Sequence, residues 1–208
     1  MPGEKRITTT DHRREHEMRL PALTELSPRQ QEISDRISSR RGGTRGPFLV
    51  WLRSPELCEK VEALGAYCRF ESSLNPRLRE LSLLVAARHF DAQYSWNAHV
   101  GKAIDLGVSA ESLRALAENE EPSFASRDEQ VLYQFSTEIL REHFVTDETF
   151  ALALAEFGER GLVDVIGSLG NFSMLAMLLN TFQVDLQAVE PPFPDVRGYA
   201  KTAASLGG

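Results

Sequence analysis

Apolar residues recur at helical spacing through most of the chain. Between residues 47 and 190 they return every three or four positions, which is typical of one buried face of an α-helix. Alternation with a period of two, which would indicate β-strands, is almost absent. Residues able to start or cap a helix precede several of these runs, at Ser54, Asn75, Ser126 and Thr146. The pattern predicts an all-α domain of about seven or eight helices.

The most apolar stretch is Leu162–Phe182, which is nearly uncharged and apolar on most sides. A helix of that kind is usually buried in a core or in a subunit interface. We expect Gly161 to separate it from the preceding helix, which starts at Thr146.

The two ends of the chain differ from this middle. Residues 1–46 carry a net charge of +3, so the rest carries −10 of the total of −7. Residues 38–46 are basic and glycine-rich, which favours a mobile loop, with an anion or nucleic-acid patch as the alternative. We therefore divide the chain into a partly mobile N-terminal extension (1–46), a helical domain (47–190) and a C-terminal tail (191–208).

Composition excludes several classes of function. The acidic balance argues against a nucleic-acid partner, and no apolar run approaches the roughly 20 residues of a bilayer span. The polar N-terminus lacks a secretory signal, so we expect a cytoplasmic protein. Cys58 and Cys68 cannot build a disulfide framework or a four-thiolate zinc site, and we assign them to the core. The string His12–His16 resembles a zinc motif but lies in a polar tail, so we predict no metal site.

His99 is the first candidate for chemistry. On an ideal helix, small and apolar side chains lie within about 40° of it, with Trp96 about 60° to one side and Lys102 about 60° to the other. The imidazole could therefore end in a small pocket. Periodicity alone favours the alternative, a buried histidine whose ring is satisfied by a backbone carbonyl.

Glu80 is the second candidate, because it stands on the apolar stripe of the preceding helix. An ionised carboxylate there needs a partner. Arg77, one turn earlier, is one possibility. The other is His99, because a short connection makes two consecutive helices pack as an antiparallel hairpin. A carboxylate bonded to one imidazole nitrogen fixes the tautomer and leaves the other nitrogen free for proton transfer.

The segment from Asn75 to His99, NPRLRELSLLVAARHFDAQYSWNAH, resembles the core of the carboxymuconolactone decarboxylase family, whose superfamily includes the alkyl hydroperoxidase D (AhpD) proteins. The resemblance runs from about residue 47 to 186 and rests on a glutamate, an aromatic pair and a histidine at the family's offsets. It implies an all-α, AhpD-like fold and a homotrimer, homohexamer or dimer. The peroxidase branch has Cys-x-x-Cys where this chain has Ala92 and Ser95, so a thiol-dependent peroxidase is disfavoured.

The resemblance implies a lyase or isomerase that needs no cofactor and acts on a small unsaturated lactone acid or keto acid. In this hypothesis His99 donates or accepts the proton and Glu80 orients it. A non-catalytic binding or assembly member of the fold remains the alternative.

Four further residues are candidates for substrate binding under the same hypothesis. Tyr94 could donate a hydrogen bond, although it lies about 140° from the histidine on an ideal helix. It would reach the same pocket only if the helix start were irregular, or it could reach a neighbouring subunit. Trp96 would form an apolar wall, and Lys102 or Arg53 would bind a substrate carboxylate.

Overall fold

The computed structural model describes residues 18–184 and 192–193, and within them the chain is all-α, as predicted. Helices α1 to α8 are Pro28–Arg41, Phe48–Trp51, Pro55–Ala66, Pro76–His89, Gln93–Asp105, Ala110–Ala117, Arg127–Glu142 and Asp147–Phe182. A π-helical turn, Tyr67–Glu71, follows α3. The string His12–His16 and most of the predicted C-terminal tail lie outside these residues.

Local signals explain several of the helix starts. The side chain of Asn75 accepts from the backbone N–H of Arg77 at 3.0 Å, and that of Thr146 accepts from Thr149 at 3.2 Å. Ser54 and Ser126 precede α3 and α7, but neither side chain caps its helix. The predicted helix starts are therefore present, while only part of the predicted capping is.

Helix α4 is the centre of the domain and packs against α5, α7 and α8. Leu81, Leu84 and Ala86 on α4 are completely buried. Only three residues, from Phe90 to Ala92, connect α4 to α5, and the two helices form the expected hairpin. This hairpin brings the face that carries Glu80 against the face that carries His99.

Helix α8 breaks at Gly158, where φ is +66° and ψ is 175°. The expected break at Gly161 is wrong by three residues, because only the glycine at 158 takes a left-handed φ that other residues avoid. Gly161 instead lies buried inside the helix, where an added Cβ would come within 2.9 Å of the Phe157 side chain. The second half of α8 forms part of the core, since Val165 and Leu179 are fully buried.

The same helix is long and apolar enough by composition to cross a bilayer, but 56% of its most apolar window is buried within the structure. Burial of this extent is typical of a core helix in a globular protein.

The N-terminal extension contributes a helix to the domain. Ile33 and Ile37 of α1 are completely buried, in a cluster with Trp51, Cys58 and Leu179. A capping box starts α1 at Ser27, and Gly42 ends it with a left-handed φ of 74°. The loop expected over residues 38–46 therefore starts only after residue 41, because residues 38–41 form the last turn of α1. Arg41 is thus held on a helix.

Candidate active site

The side chains of Glu80 and His99 meet between α4 and α5. Nδ1 of His99 lies 2.6 Å from Oε2 of Glu80, and the two side chains are 12% and 14% exposed. Arg77, the other partner that the sequence allowed for Glu80, instead forms ion pairs with Asp128 and Glu129 of α7. The acidic residues of α7 therefore engage Arg77, and His99 is the partner of Glu80 across the hairpin.

Electrostatics fix the protonation of this pair at neutral pH. Burial lowers the pKa of His99 and outweighs the Glu80 hydrogen bond, which acts in the opposite direction. Burial would raise the pKa of Glu80, but the hydrogen bond with His99 and the nearby cationic charges more than offset it, so that pKa is lowered. Glu80 is therefore a carboxylate and His99 a neutral ring. The Nδ1–H of His99 donates to the Glu80 carboxylate, so the ring's basic lone pair is on Nε2.

His99 lies in the wall of a cavity of about 210 Å³ between α5, α8, the end of α1 and the π-helical turn. Tyr94, Ser95, Ala98 and Lys102 line the same side of it. Most of the remaining wall is apolar or aromatic: Pro47, Phe48, Trp51, Val61, Phe172, Leu175 and Leu179. An apolar cavity with a few polar groups is the usual form of a small-molecule site.

Positive charge dominates the polar part of this cavity. Arg41, Arg45, Arg69 and Lys102 line it, and none of the acidic residues that the structure describes does. Burial and the neighbouring Arg69 guanidinium both lower the pKa of Arg41. The same two causes lower the pKa of Lys102, with Glu80 acting in the opposite direction.

Hydrogen bonds hold the π-helical turn in the position from which Arg69 reaches the cavity. Asp164 of α8 accepts hydrogen bonds from the Tyr67 hydroxyl at 2.8 Å and from the backbone N–H and hydroxyl of Ser73 at 2.7 and 2.6 Å. Burial would raise the pKa of Asp164, but these hydrogen bonds lower it. The guanidinium of Arg79 also donates to the carbonyl of Arg69 at 3.0 Å. These bonds fix the turn on both sides.

Tyr94 lines the cavity, although its angular distance from His99 on an ideal helix did not predict this position. Helix α5 is regular from Gln93 onward, so neither an irregular start nor a neighbouring subunit is required. Tyr94 extends toward the loop before α2, where a Cβ added at Gly46 would lie 2.2 Å from its hydroxyl. The cavity reaches this loop, and Tyr94 therefore lines it from the other edge of α5.

Trp96 and Arg53 do not line the cavity. Trp96 is 3% exposed and packs edge to face on Phe193, with 5.2 Å between ring centroids. Its side of α5 faces the core, so the angular distance to His99 on the helix was not enough to place it. Arg53 is used locally, where its guanidinium donates to the carbonyls of Leu49 and Pro21.

The sequence reasoning missed Arg41 and Arg69 as cavity residues. Arg41 was assigned to a mobile loop, and Arg69 lies in a π-helical turn, where the helical period of 3.6 residues does not hold.

The cysteines provide no redox chemistry here. Cys58 and Cys68 are free and buried, as predicted for core residues. Burial raises the pKa of Cys58 to about 11 and also raises that of Cys68, so both are protonated thiols at neutral pH. Ala92 and Ser95, at the Cys-x-x-Cys positions, carry no sulfur.

A larger open depression of about 600 Å³ includes Arg88, His89, Tyr133 and Arg141. It contains neither member of the Glu80–His99 pair, and we do not assign the chemistry to it. Within residues 18–184 and 192–193, no three His, Cys, Asp or Glu side chains are grouped so that they could hold a metal ion.

Comparisons with known proteins agree with this architecture. The sequence model of the carboxymuconolactone decarboxylase family matches residues 55–138, and a search of the curated proteins gave no match. An uncharacterized peroxidase-related protein from Silicibacter sp. TM1040 has a TM-score of 0.70 and 16% identity, covering 82% of this chain and 92% of that one. The alkylhydroperoxidase AhpD core protein from Ralstonia eutropha JMP134 has a TM-score of 0.68 and 14% identity, with the same coverage of 82% and 92%.

A third similar structure is a debrominase in complex with 2,3,4-tribromopyrrole. Its TM-score is 0.63 at 12% identity, over 86% of this chain and 91% of that one. At such low identities these three likenesses show a shared fold, and the fold alone carries no specific activity.

Proposed function

We propose that this chain, whose residues 55–138 match the model of the carboxymuconolactone decarboxylase family and whose fold is AhpD-like, is an acid–base enzyme. Its substrate would be a small unsaturated lactone acid or keto acid, and its reaction a decarboxylation or an isomerisation that needs no cofactor. The observation that carries the proposal is the Glu80–His99 pair, 2.6 Å apart, in the wall of a small cavity.

In the isomerisation, Nε2 of His99 takes a proton from a carbon next to the carbonyl. The electron pair of that C–H bond moves to the carbonyl oxygen and gives an enolate. The imidazolium then returns the proton to the far end of the conjugated system. Glu80 stabilises the imidazolium and keeps the Nδ1 proton in place throughout. The neutral ring of the resting protein favours this sequence, because it is ready to accept a proton.

In the decarboxylation, the bond between carbon and the carboxylate breaks and carbon dioxide leaves. Its electron pair passes through the conjugated double bond to the carbonyl oxygen, and the resulting enolate takes a proton at carbon. The net reaction takes up one proton, which solvent would supply to Nε2 of the neutral His99 ring before the ring passes it to carbon. The hydroxyl of Tyr94, which lines the same cavity, would stabilise the enolate oxygen in either reaction.

Two other functions are less well supported. A thiol peroxidase needs a nucleophilic sulfur, whereas Ala92 and Ser95 stand in its place. A purely structural role would fit a histidine in a closed core, but this ring borders a cavity. A debrominase of similar fold binds a small ring compound, which supports catalysis on such molecules in this architecture.

The test starts with a thermal-shift screen of unsaturated lactone acids and keto acids, because a ligand of the folded state raises the melting temperature. Compounds that bind are then assayed for release of carbon dioxide and, in deuterated water, for deuterium at carbon by NMR. Turnover should fall about 10²–10⁴-fold in His99→Ala. Turnover at the wild-type rate in this variant would reject the mechanism.

A further inference from the structure

We propose that Arg41, Arg69 and Lys102 form a subsite that binds the carboxylate of an organic acid beside His99. The inference deepens the proposed function, since it assigns the charge and the class of the ligand of that cavity. The inference rests on the proposed function for the reaction that follows binding. The binding itself can be measured without turnover.

Two of these three cations form no ion pair in the described part of the chain, although the Glu80 carboxylate attracts both at longer range. Arg69 makes no ion pair or side-chain hydrogen bond there, and its guanidinium lies over the Phe70 ring, 5.1 Å from the centroid. Lys102 likewise makes no ion pair. Basic groups are more often balanced by carboxylates on the protein itself when they are partly buried. The carboxylate that acts on both, Glu80, is already hydrogen-bonded to His99, so we infer that a bound anion balances the remaining positive charge.

Arg41 is only partly compensated. Its guanidinium lies 3.6 Å from Glu62, and the same carboxylate also pairs with Arg40 at 3.3 Å. The Arg41 side chain is 12% exposed, and its Nε is buried without a hydrogen bond, as is Nε of Arg69. Unsatisfied buried donors are unfavourable, and charge-assisted bonds from a guanidinium to a carboxylate are among the strongest that could relieve them.

The rest of the cavity defines the body of the ligand. Its walls include Phe48, Trp51, Phe172 and Leu175, so an apolar or unsaturated ring or chain fits beside the cationic end. The volume of about 210 Å³ is below the roughly 300–1,000 Å³ of pockets for drug-sized ligands. We infer a small acid with one anionic group and an apolar, unsaturated body.

The N-terminal extension contributes a residue to this proposed binding site. Arg41 ends α1, which precedes the residues 55–138 that match the family model. Arg69 and Lys102 lie within that matched region. The N-terminal extension would thus add one of the three cations to a site that the family core forms with the other two.

Benzoate, benzamide and phenyl phosphate test this inference, because they share a ring and differ in the head group. Isothermal titration of the full chain with each probe should show binding of benzoate and at least about tenfold weaker binding of benzamide. Arg69→Gln, Arg41→Gln and Lys102→Gln should each weaken benzoate binding by about tenfold. Phenyl phosphate separates the two sources of negative charge, and its tighter binding would overturn the choice of a carboxylate.

Arg40→Gln is the matched control, because it removes the same charge one residue earlier from a side chain that is 54% exposed and does not line the cavity. It should change the benzoate affinity by less than twofold. Equal losses in Arg40→Gln and Arg41→Gln, or equal affinity for the acid and the amide, would reject the subsite. Lys102 is exposed, so its variant tests the site even if the arginine variants unfold.

His99→Ala distinguishes failure of this inference from failure of the proposed reaction. It should keep benzoate binding within a few fold while losing turnover. Retained binding together with unchanged turnover would reject the reaction but support the subsite.

Discussion

Nδ1 of His99 is 2.6 Å from Oε2 of Glu80, across the hairpin of α4 and α5. Because that carboxylate accepts from Nδ1–H, the proton-transfer atom of the ring is Nε2. The contact also opposes the effect of burial on the histidine. Loss of the Glu80 carboxylate should therefore change the pKa of the His99 ring.

Glu80→Gln should lower the pKa of His99 further, because the hydrogen bond and the negative charge that raise it are weakened or lost. If His99 acts as a base, the acid limb of the kcat/KM profile should move to lower pH, and turnover should fall about 10–100-fold as orientation is lost. A pH titration of the imidazole by NMR, with pH–rate profiles, measures both effects. Glu111→Gln, at an exposed position of α6, is the control. An unmoved His99 titration in Glu80→Gln would contradict the prediction.

Stability should fall as the pH drops from about 6.5 toward the lowered folded-state pKa of His99. The sign follows from proton binding: in that window the unfolded chain binds more protons at this ring than the folded chain. Above pH 6.5 the contribution of the neutral His99 ring to the free energy of unfolding is fully present. Urea unfolding at pH 7.5 and pH 5.5 should show a smaller difference in the free energy of unfolding for His99→Asn than for the unmodified protein.

Two other histidines control for general effects of pH. Burial and the charge of Arg141 lower the pKa of His89, so His89→Asn should also reduce the pH dependence. His143 is exposed and has a φ of +66°, which asparagine tolerates, so His143→Asn should leave the protein stable. The same pH dependence in His99→Asn as in the unmodified protein would contradict the prediction.

Gly158→Ala should destabilise the protein by about 1 kcal/mol, because a side chain must adopt the φ of +66° at the break in α8. An added Cβ at this position has no atom within 4 Å, so the effect would come from the backbone alone. Gly101→Ala in α5 is a matched control, since its Cβ also meets open space and its φ is helical. It should stabilise by about 0.5–1 kcal/mol. Thermal unfolding of both variants tests the contrast; equal shifts would contradict it.

We propose that the outer face of α8 mediates self-association. Val163, Ile166 and Met177 are 71%, 46% and 51% exposed, and they recur on one side of the helix with the open Gly170 between them. Such an apolar stripe is typical of a helix–helix interface between subunits. Sedimentation velocity should show an oligomer that Val163→Lys dissociates. Leu57→Lys, at a similarly exposed apolar position on α3, should not. A monomer in the unmodified protein would reject the proposal.

Much of this molecule could be predicted from the order of its residues. Periodicity and helix-starting residues indicated the all-α fold, because amphipathic helices report their buried face directly in sequence. The Glu80–His99 contact was also accessible, since a three-residue connection leaves α4 and α5 few ways to pack. The choice between Arg77 and His99 as the partner of Glu80 was not, because it depended on α7, which supplies Asp128 and Glu129 to the arginine.

Tertiary structure alone decided what surrounds the imidazole. On α5, Trp96 and Tyr94 were both candidates, but Trp96 packs on Phe193 in the core, whereas Tyr94 lines the cavity. Arg41 and Arg69 come from a helix of the extension and from a π-helical turn, and their meeting at one cavity involves contacts between segments far apart in the chain. Local sequence fixes helices through short-range periodicity, whereas the charge and shape of a cavity arise from packing between distant segments.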